Sequence, residues 1–182
     1  NALFVIDTSS IAPLRFNKNL FNFDSTIKPD IIITSKGLTK GLPLSTVILS
    51  DKVPEISTDE LNTGVYNPAY IEALSFIENK EQHQKSIEKN IELFSKKMEE
   101  LSETHITLVD FIPEGFLFSM LLEISAYDAA KEAFKLGVIT EVLNEQTMLI
   151  YPPYNIEEQQ IDEFVSTMGQ VFDRLARFDR LK

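Results

Sequence analysis

Asp7 and Lys36 are the residues whose types and placement could do chemistry. Each closes a short apolar run: Leu3-Phe4-Val5-Ile6 leads into Asp7, and Ile31-Ile32-Ile33-Thr34 leads into Ser35 and Lys36. A continuous apolar run of this length is the mark of a strand buried on both faces. In open α/β sheets, ligands bind just beyond the carboxyl ends of such strands. An acid and an amine at two neighbouring ends could therefore grip one ligand. A lysine near a buried sheet edge is desolvated, which favours the neutral, nucleophilic amine and Schiff-base chemistry. The same two residues could equally form a structural Asp–Lys ion pair, and spacing alone favours that plainer reading.

The elements that must position them follow from hydropathy. Leu44 to Leu49 is a third apolar run, and the stretch between the first two carries Pro13 and several asparagines, so it is expected to be mostly loop. Helical periodicity then takes over. Asn67 can cap a helix with Pro68 at its first position, and Ile71, Leu74 and Ile77 follow at helical spacing. A second helix is expected from about Gln84, with Ile87, Ile91, Phe94, Met98 and Leu101 on one face. Two strands, 106–112 and 116–124, are joined by the turn Pro113-Glu114-Gly115. Ser125 and Asp128 open a helix that stops at Gly137, and a further strand pair turns at Asn144. Asn155 and Glu158 read as the capping box of a last helix with the stripe Ile161, Phe164, Met168, Val171 and Leu175.

Composition narrows the function classes. The 182 residues are 43% hydrophobic and 25% charged, the balance of a globular chain, and no apolar run reaches bilayer-spanning length. A formal net charge of −11 argues against nucleic-acid binding, which needs a basic face; the basic tail of Arg174, Arg177, Arg180 and Lys182 suits a helix C-terminus instead. His83 and His105 lack metal-ligand spacing, so no metal is expected. The chain has no cysteine, which fits a reducing, cytoplasmic setting. It opens on Asn1 directly before an apolar run, without an initiator methionine, as expected of a chain cut from something longer.

One family brings these features together. The segment PDIIITSKGLTKGLPLSTVILS resembles that of the class III pyridoxal-phosphate aminotransferases in which Pro-Asp, a strand, Ser-Lys-Gly and Gly-Leu-Pro surround the cofactor lysine. By this resemblance Lys36 is the catalytic Schiff-base lysine holding pyridoxal 5'-phosphate, and Ser35 beside it is a cofactor-binding candidate. The run FVID resembles the strand whose aspartate pairs with the pyridine nitrogen, which assigns that role to Asp7. The separation of 29 residues between Asp7 and Lys36 is close to that of the family, and Arg15 and Lys18 fall where its intervening loop carries an arginine and a lysine. TGVYNPAYIEAL resembles the run in which a threonine reaches the cofactor phosphate of the partner subunit. This implies the same role for Thr63, and a homodimer with shared active sites. PEGFLFSMLLEI and LIYPPYNIEEQQIDEF resemble the family's small domain, in the same order.

The resemblance also has departures. Thr8-Ser9-Ser10-Ile11-Ala12 stands where the family has Glu-Val-Gln-Thr-Gly, so Ser10 replaces a glutamine that approaches the cofactor's phenolic oxygen and is too short to act alike unaided. Val65 and Tyr66 replace two glycines, and Leu149 replaces an arginine that in relatives binds an α-carboxylate. Lys40 is expected to be solvated. The expected fold is α/β, pyridoxal-phosphate transferase fold type I. Residues 1–70 would be the C-terminal part of the cofactor-binding large domain, 71–102 connecting helices, and 103–182 a small α+β domain. The implied activity moves an amino group between an amine or ω-amino acid and a keto acid. The chain alone would be inactive or weak without the upstream half of the site. Alternatives are a non-catalytic dimerisation or scaffold module, or another reaction of the same fold such as an aminomutase or decarboxylase.

Overall fold

Punctuation in the sequence sets the element boundaries. In this computed structural model, residues 2–16, 20–24, 26–38, 42, 44–54 and 67–179 are described. Strand β1 is Val5–Asp7, β2 is Ile31–Thr34 and β3 is Thr46–Leu49. β1 pairs with β2 in parallel, and β3 adds antiparallel on the other side of β2, so this sheet is mixed rather than wholly parallel. Asp30, the acid of the Pro-Asp pair, ties one end of all three strands. Its carboxylate accepts from Phe4 N–H at 2.9 Å and from Lys52 Nζ at 3.2 Å, and its backbone carbonyl accepts from Ser50 N–H at 2.9 Å.

Burial corrects one expectation. Leu3, Phe4 and Val5 are each about half exposed, and Val47 is exposed on β3, so these strands are not buried on both faces. An apolar run is buried only where other layers cover the sheet, and in this chain those side chains remain in contact with solvent. Helix α1, Asn67–Glu78, gives a second correction. Its buried positions are Ala69, Ala73 and Phe76, while Ile71 and Leu74 are exposed. Phe76 stacks on His83 at 4.6 Å between ring centroids, which anchors the Ala/Phe face rather than the Ile/Leu face.

Two compact units make up the chain, residues 1–84 and 85–182. Helix α2, Lys80–Thr104, starts in the first and runs through the second, burying Ile87, Asn90, Phe94 and Met98. The second unit holds an antiparallel sheet in the order β4-β5-β7-β6, from β4 (Leu108–Pro113), β5 (Phe118–Leu122), β6 (Glu141–Asn144) and β7 (Thr147–Ile150). Helix α3 is Ala126–Lys135, with Ser125 Oγ accepting from Asp128 N–H, and Gly137 takes φ +89° just past its end. Helix α4 is Glu158–Asp179. Its cap lies two residues later than the Asn155–Glu158 box: Gln160 Oε1 accepts from Glu157 N–H at 3.0 Å. Phe94 sits at the centre of this core, its ring centroid 4.8 Å from that of Phe118 and 5.2 Å from that of Phe164. Phe172, outside the expected α4 stripe, is fully buried as well.

Candidate active site

The parallel register of β1 and β2 decides where the two candidate residues lie. Asp7 is the last residue of β1 and is paired with Ile33, so Lys36 follows only three residues beyond that pair. Both residues therefore emerge at the carboxyl edge of the same two strands. Both are exposed, so the desolvation expected of Lys36 at a buried sheet edge is not present in this chain.

What fixes this edge is a set of backbone and hydroxyl bonds between the turns after β1 and β2. Thr8 is buried, and its N–H and its hydroxyl both donate to Ile33 O, at 2.8 and 3.1 Å. Lys36 N–H donates to Ser9 O at 3.4 Å. Gly37 has φ +78°, and a Cβ at that position would come within 2.6 Å of Ala12 Cβ, so the two turns meet at a point that only glycine allows. Thr8, Ser9 and the Gly37–Ala12 contact were not among the expected site residues. Their signal was present: an aspartate at a strand end followed by serines is a ready Asx turn, because its carboxylate can accept from the N–H two residues on.

Electrostatics at Asp7 are set by that turn. Its carboxylate accepts from Ser9 N–H at 2.8 Å. The Ser9 hydroxyl and then this N–H hold its pKa below the ordinary 3.8, slight burial opposing them. Asp7 is thus kept as an anion.

The other predicted residues lie as follows. Ser10 is exposed in the turn after β1. Ser35 is half-buried and donates its proton to Leu44 O at 2.9 Å while accepting from Ser45 Oγ at 3.2 Å, which ties β2 to the approach to β3. Its hydroxyl can therefore only accept from any further group. Thr63 lies outside the described residues, as do Lys18 and Lys40. Leu149 lies on β7 between Ser119 of β5 and Glu141 of β6 and is almost fully buried.

A cavity of about 460 Å³ opens at the opposite end of the strands, lined by Phe21, Phe23, Ile32, Ile48 and Lys52 among others, away from Asp7 and Lys36. Among the described residues no three His, Asp or Glu side chains gather to hold a metal, and no helix is long and apolar enough to cross a membrane.

An anionic carboxylate and a primary amine at one sheet edge suit a group with a cationic ring nitrogen and an aldehyde. Comparison with known proteins points the same way: residues 19–172 match the family Aminotransferase class-III. The chain belongs to the class III aminotransferase family. Members of this family are pyridoxal-phosphate-dependent. The chain is 24% identical over 157 residues to the acetylornithine aminotransferase of Methanocaldococcus jannaschii, a match covering 83% of this chain and 39% of that protein. It is 31% identical over 154 residues to the leucine/methionine racemase of Thermococcus litoralis, covering 75% of this chain and 34% of that protein. Among solved structures, an S-selective transaminase from Arthrobacter sp. with alanine bound superposes with a TM-score of 0.76 at 19% identity, over 98% of this chain and 46% of that one. The acetylornithine aminotransferase of Elizabethkingia anophelis gives a TM-score of 0.73 at 19% identity, over 96% and 48%. The fold is that of the pyridoxal-phosphate-dependent transaminases, and the chain spans less than half the length of each of these relatives.

Proposed function

We propose that this chain carries the cofactor lysine and the ring-nitrogen acid of a pyridoxal-phosphate-dependent aminotransferase. The observation that carries the reading is the placement of Asp7 and Lys36 at one sheet edge, three residues apart in register, within a matched class III aminotransferase sequence. Pyridoxal phosphate, when bound, supplies an electron sink for the carbon bearing the amino group. Asp7, held as an anion, would face the ring nitrogen and keep its proton in place. Lys36 Nζ would hold the cofactor covalently and, once released by an incoming amine, carry the proton at the substrate carbon as general base and then acid. Thr63, Ser10 and Ser35 are assigned to cofactor contact, Thr63 across a homodimer with shared active sites.

The substrates proposed are an amine or ω-amino acid as donor and a keto acid as acceptor. Leu149 supports a donor without an α-carboxylate near that position, since an aliphatic side chain offers such a group neither charge nor hydrogen bond. The working protein would act in the cytoplasm. The large-domain, connecting and small-domain assignments of 1–70, 71–102 and 103–182 belong to the same reading.

A second reading has its own support. The 31% identity to a leucine/methionine racemase favours a reaction that removes and returns a proton without exchanging the amino group. One experiment addresses both. Incubation with pyridoxal phosphate, borohydride reduction and peptide mapping should place the adduct selectively on Lys36, and Lys36→Ala should abolish it. An adduct spread evenly over the lysines would end the cofactor assignment. In the protein carrying the remaining part of the fold, exchange of substrate α-deuterium without keto acid turnover would favour the racemase-type reaction over transamination.

A further inference from the structure

The most buried residue of β1 and the turn after it is polar. Among residues 2–12 only Thr8 is buried, whereas the apolar Leu3, Phe4 and Val5 are about half exposed. An unpaired buried hydroxyl is costly, so a polar side chain in such a place is tied to its hydrogen bond. Thr8 Oγ1 donates to Ile33 O at 3.1 Å, and Thr8 N–H donates to the same oxygen at 2.8 Å. Ile33 is the register partner of Asp7, and Lys36 follows three residues later. We infer that Thr8 is a positioning residue: its hydroxyl doubles the closing rung between β1 and β2, and so fixes the separation and relative height at which Asp7 and Lys36 leave the sheet. The inference rests on the reading that these two residues serve one cofactor.

Little beyond this rung could do the same work. β1 has only three residues, and the end of so short a strand opens readily unless something closes it. Farther out, the two turns are joined by Lys36 N–H donating to Ser9 O at 3.4 Å, which is a long bond. The Gly37–Ala12 approach sets a smallest separation of the turns but no largest one. A carbonyl oxygen has two lone pairs, so Ile33 O can take both Thr8 donors at once. With the backbone donor alone the turn could swing about one bond. A second donor from the same residue removes that freedom at little further loss of entropy, because a β-branched side chain has few rotamers to lose. Burial keeps water from competing for the hydroxyl. Valine in this place would keep the branch at Cβ, and Ile33 O would stay bonded to the N–H, so no buried polar group would be orphaned.

The test uses the full chain, first without cofactor. Thr8→Val should speed exchange of the Lys36 amide about fivefold, the effect of losing one ordinary hydrogen bond. The Phe4 amide, bonded to Asp30 at the far end of β1, should keep its native rate. Because the chain has no cysteine, spin labels can be attached through Ser10→Cys and Lys36→Cys, exposed positions on the two turns that leave Asp7 in place. Their distance distribution should be narrow with Thr8, broaden in Thr8→Val and narrow again in Thr8→Ser, which keeps the hydroxyl. Labelling of Lys36 by pyridoxal phosphate should fall and recover in the same order. An unchanged distribution in Thr8→Val overturns the inference. Equal acceleration of the Phe4 and Lys36 amides does so too, since it marks a residue that only adds stability. Should Thr8→Val unfold the first unit, the native chain decides: a Thr8 hydroxyl proton protected from exchange supports the lock, and a freely exchanging one overturns it. Absence of Lys36 labelling in the native chain would end the cofactor reading, whereas the amides and the spin pair involve no cofactor and report on Thr8 separately.

Discussion

Residues 85–182 and residues 1–84 solve the problem of order in different ways. The second unit fills a core with Phe94, Phe116, Phe118, Met120, Met148 and Met168, all at or near zero exposure. The first unit has a three-stranded sheet in which Val5 and Val47 are about half exposed, as are Leu3 and Phe4 just before β1. Yet the first unit carries Asp7 and Lys36. Among the described residues, the geometry of the candidate site is held by backbone pairing, hydroxyls and one glycine contact, with Leu14, Leu38 and Leu44 buried in the segments around it. Catalytic constellations need support from fixed neighbours, and here most of that support is local.

The largest expected effect tests this contrast directly. Phe118→Ala removes a fully buried ring that stacks on both Phe94 and Phe111, and should destabilise the second unit by about 3–5 kcal/mol. Val47→Ala, on an exposed face of β3, should cost about 0.5 kcal/mol or less. Denaturant unfolding of the two variants would measure both. If Val47→Ala proved as costly as Phe118→Ala, the first unit would have a packed layer over its sheet in solution and the contrast would fail.

The same contrast explains what could be read from sequence. β2 was legible because Pro29-Asp30 opens and Ser35-Lys36 closes a run of three isoleucines and a threonine, and β-branched residues so bounded specify a strand. The α3 cap at Ser125 and its end at Gly137 were legible for the same local reason. Burial was not. Whether Leu3 or Ile71 meets other atoms depends on elements distant in sequence, which periodicity alone does not encode. The missed burial of Phe172 and Asn90 has that origin too, Asn90 being held by Nδ2 donating to Ile156 O at 3.2 Å, 66 residues away. Within the site, the family pattern led to Asp7, Lys36 and Ser35. The departures after Asp7 drew notice at Ser10, whereas the bonds are made by Thr8 and Ser9.

A middle-sized effect would sharpen the claim that local contacts hold the site. Gly37→Ala places a methyl group 2.6 Å from Ala12 Cβ on a backbone at φ +78°, and should cost about 1–3 kcal/mol. Adding Ala12→Gly relieves the overlap while leaving the backbone strain, so the double variant should recover part of the loss. Amide exchange at Thr8 and Lys36 would report it, since both amides bond across the two turns. Full recovery in the double variant would mean that the overlap, and not the positive φ, is what reserves this position for glycine.

The smallest effect concerns the opposite end of the strands and depends on pH. Asp30 has its pKa held below the ordinary 3.8, first by Phe4 N–H and then by Lys52. A carboxylate with a lowered folded-state pKa stabilises the fold above its unfolded pKa, and that stabilisation disappears as pH falls through the folded value. Acid should therefore loosen the link from Asp30 to β1 below about pH 4, seen as faster exchange of the Phe4 amide relative to the amides of the second unit. Asp30→Asn should remove this acid dependence, because an amide cannot titrate there. Lys52→Ala should preserve part of it, because Lys52 is mostly exposed and the Phe4 N–H is the largest single cause of the shift. If Lys52→Ala flattened the acid limb as fully as Asp30→Asn, an ion pair rather than a backbone bond would tie the sheet at this end. The first unit would then hold its strands by long-range charge at one edge and by short turns at the other.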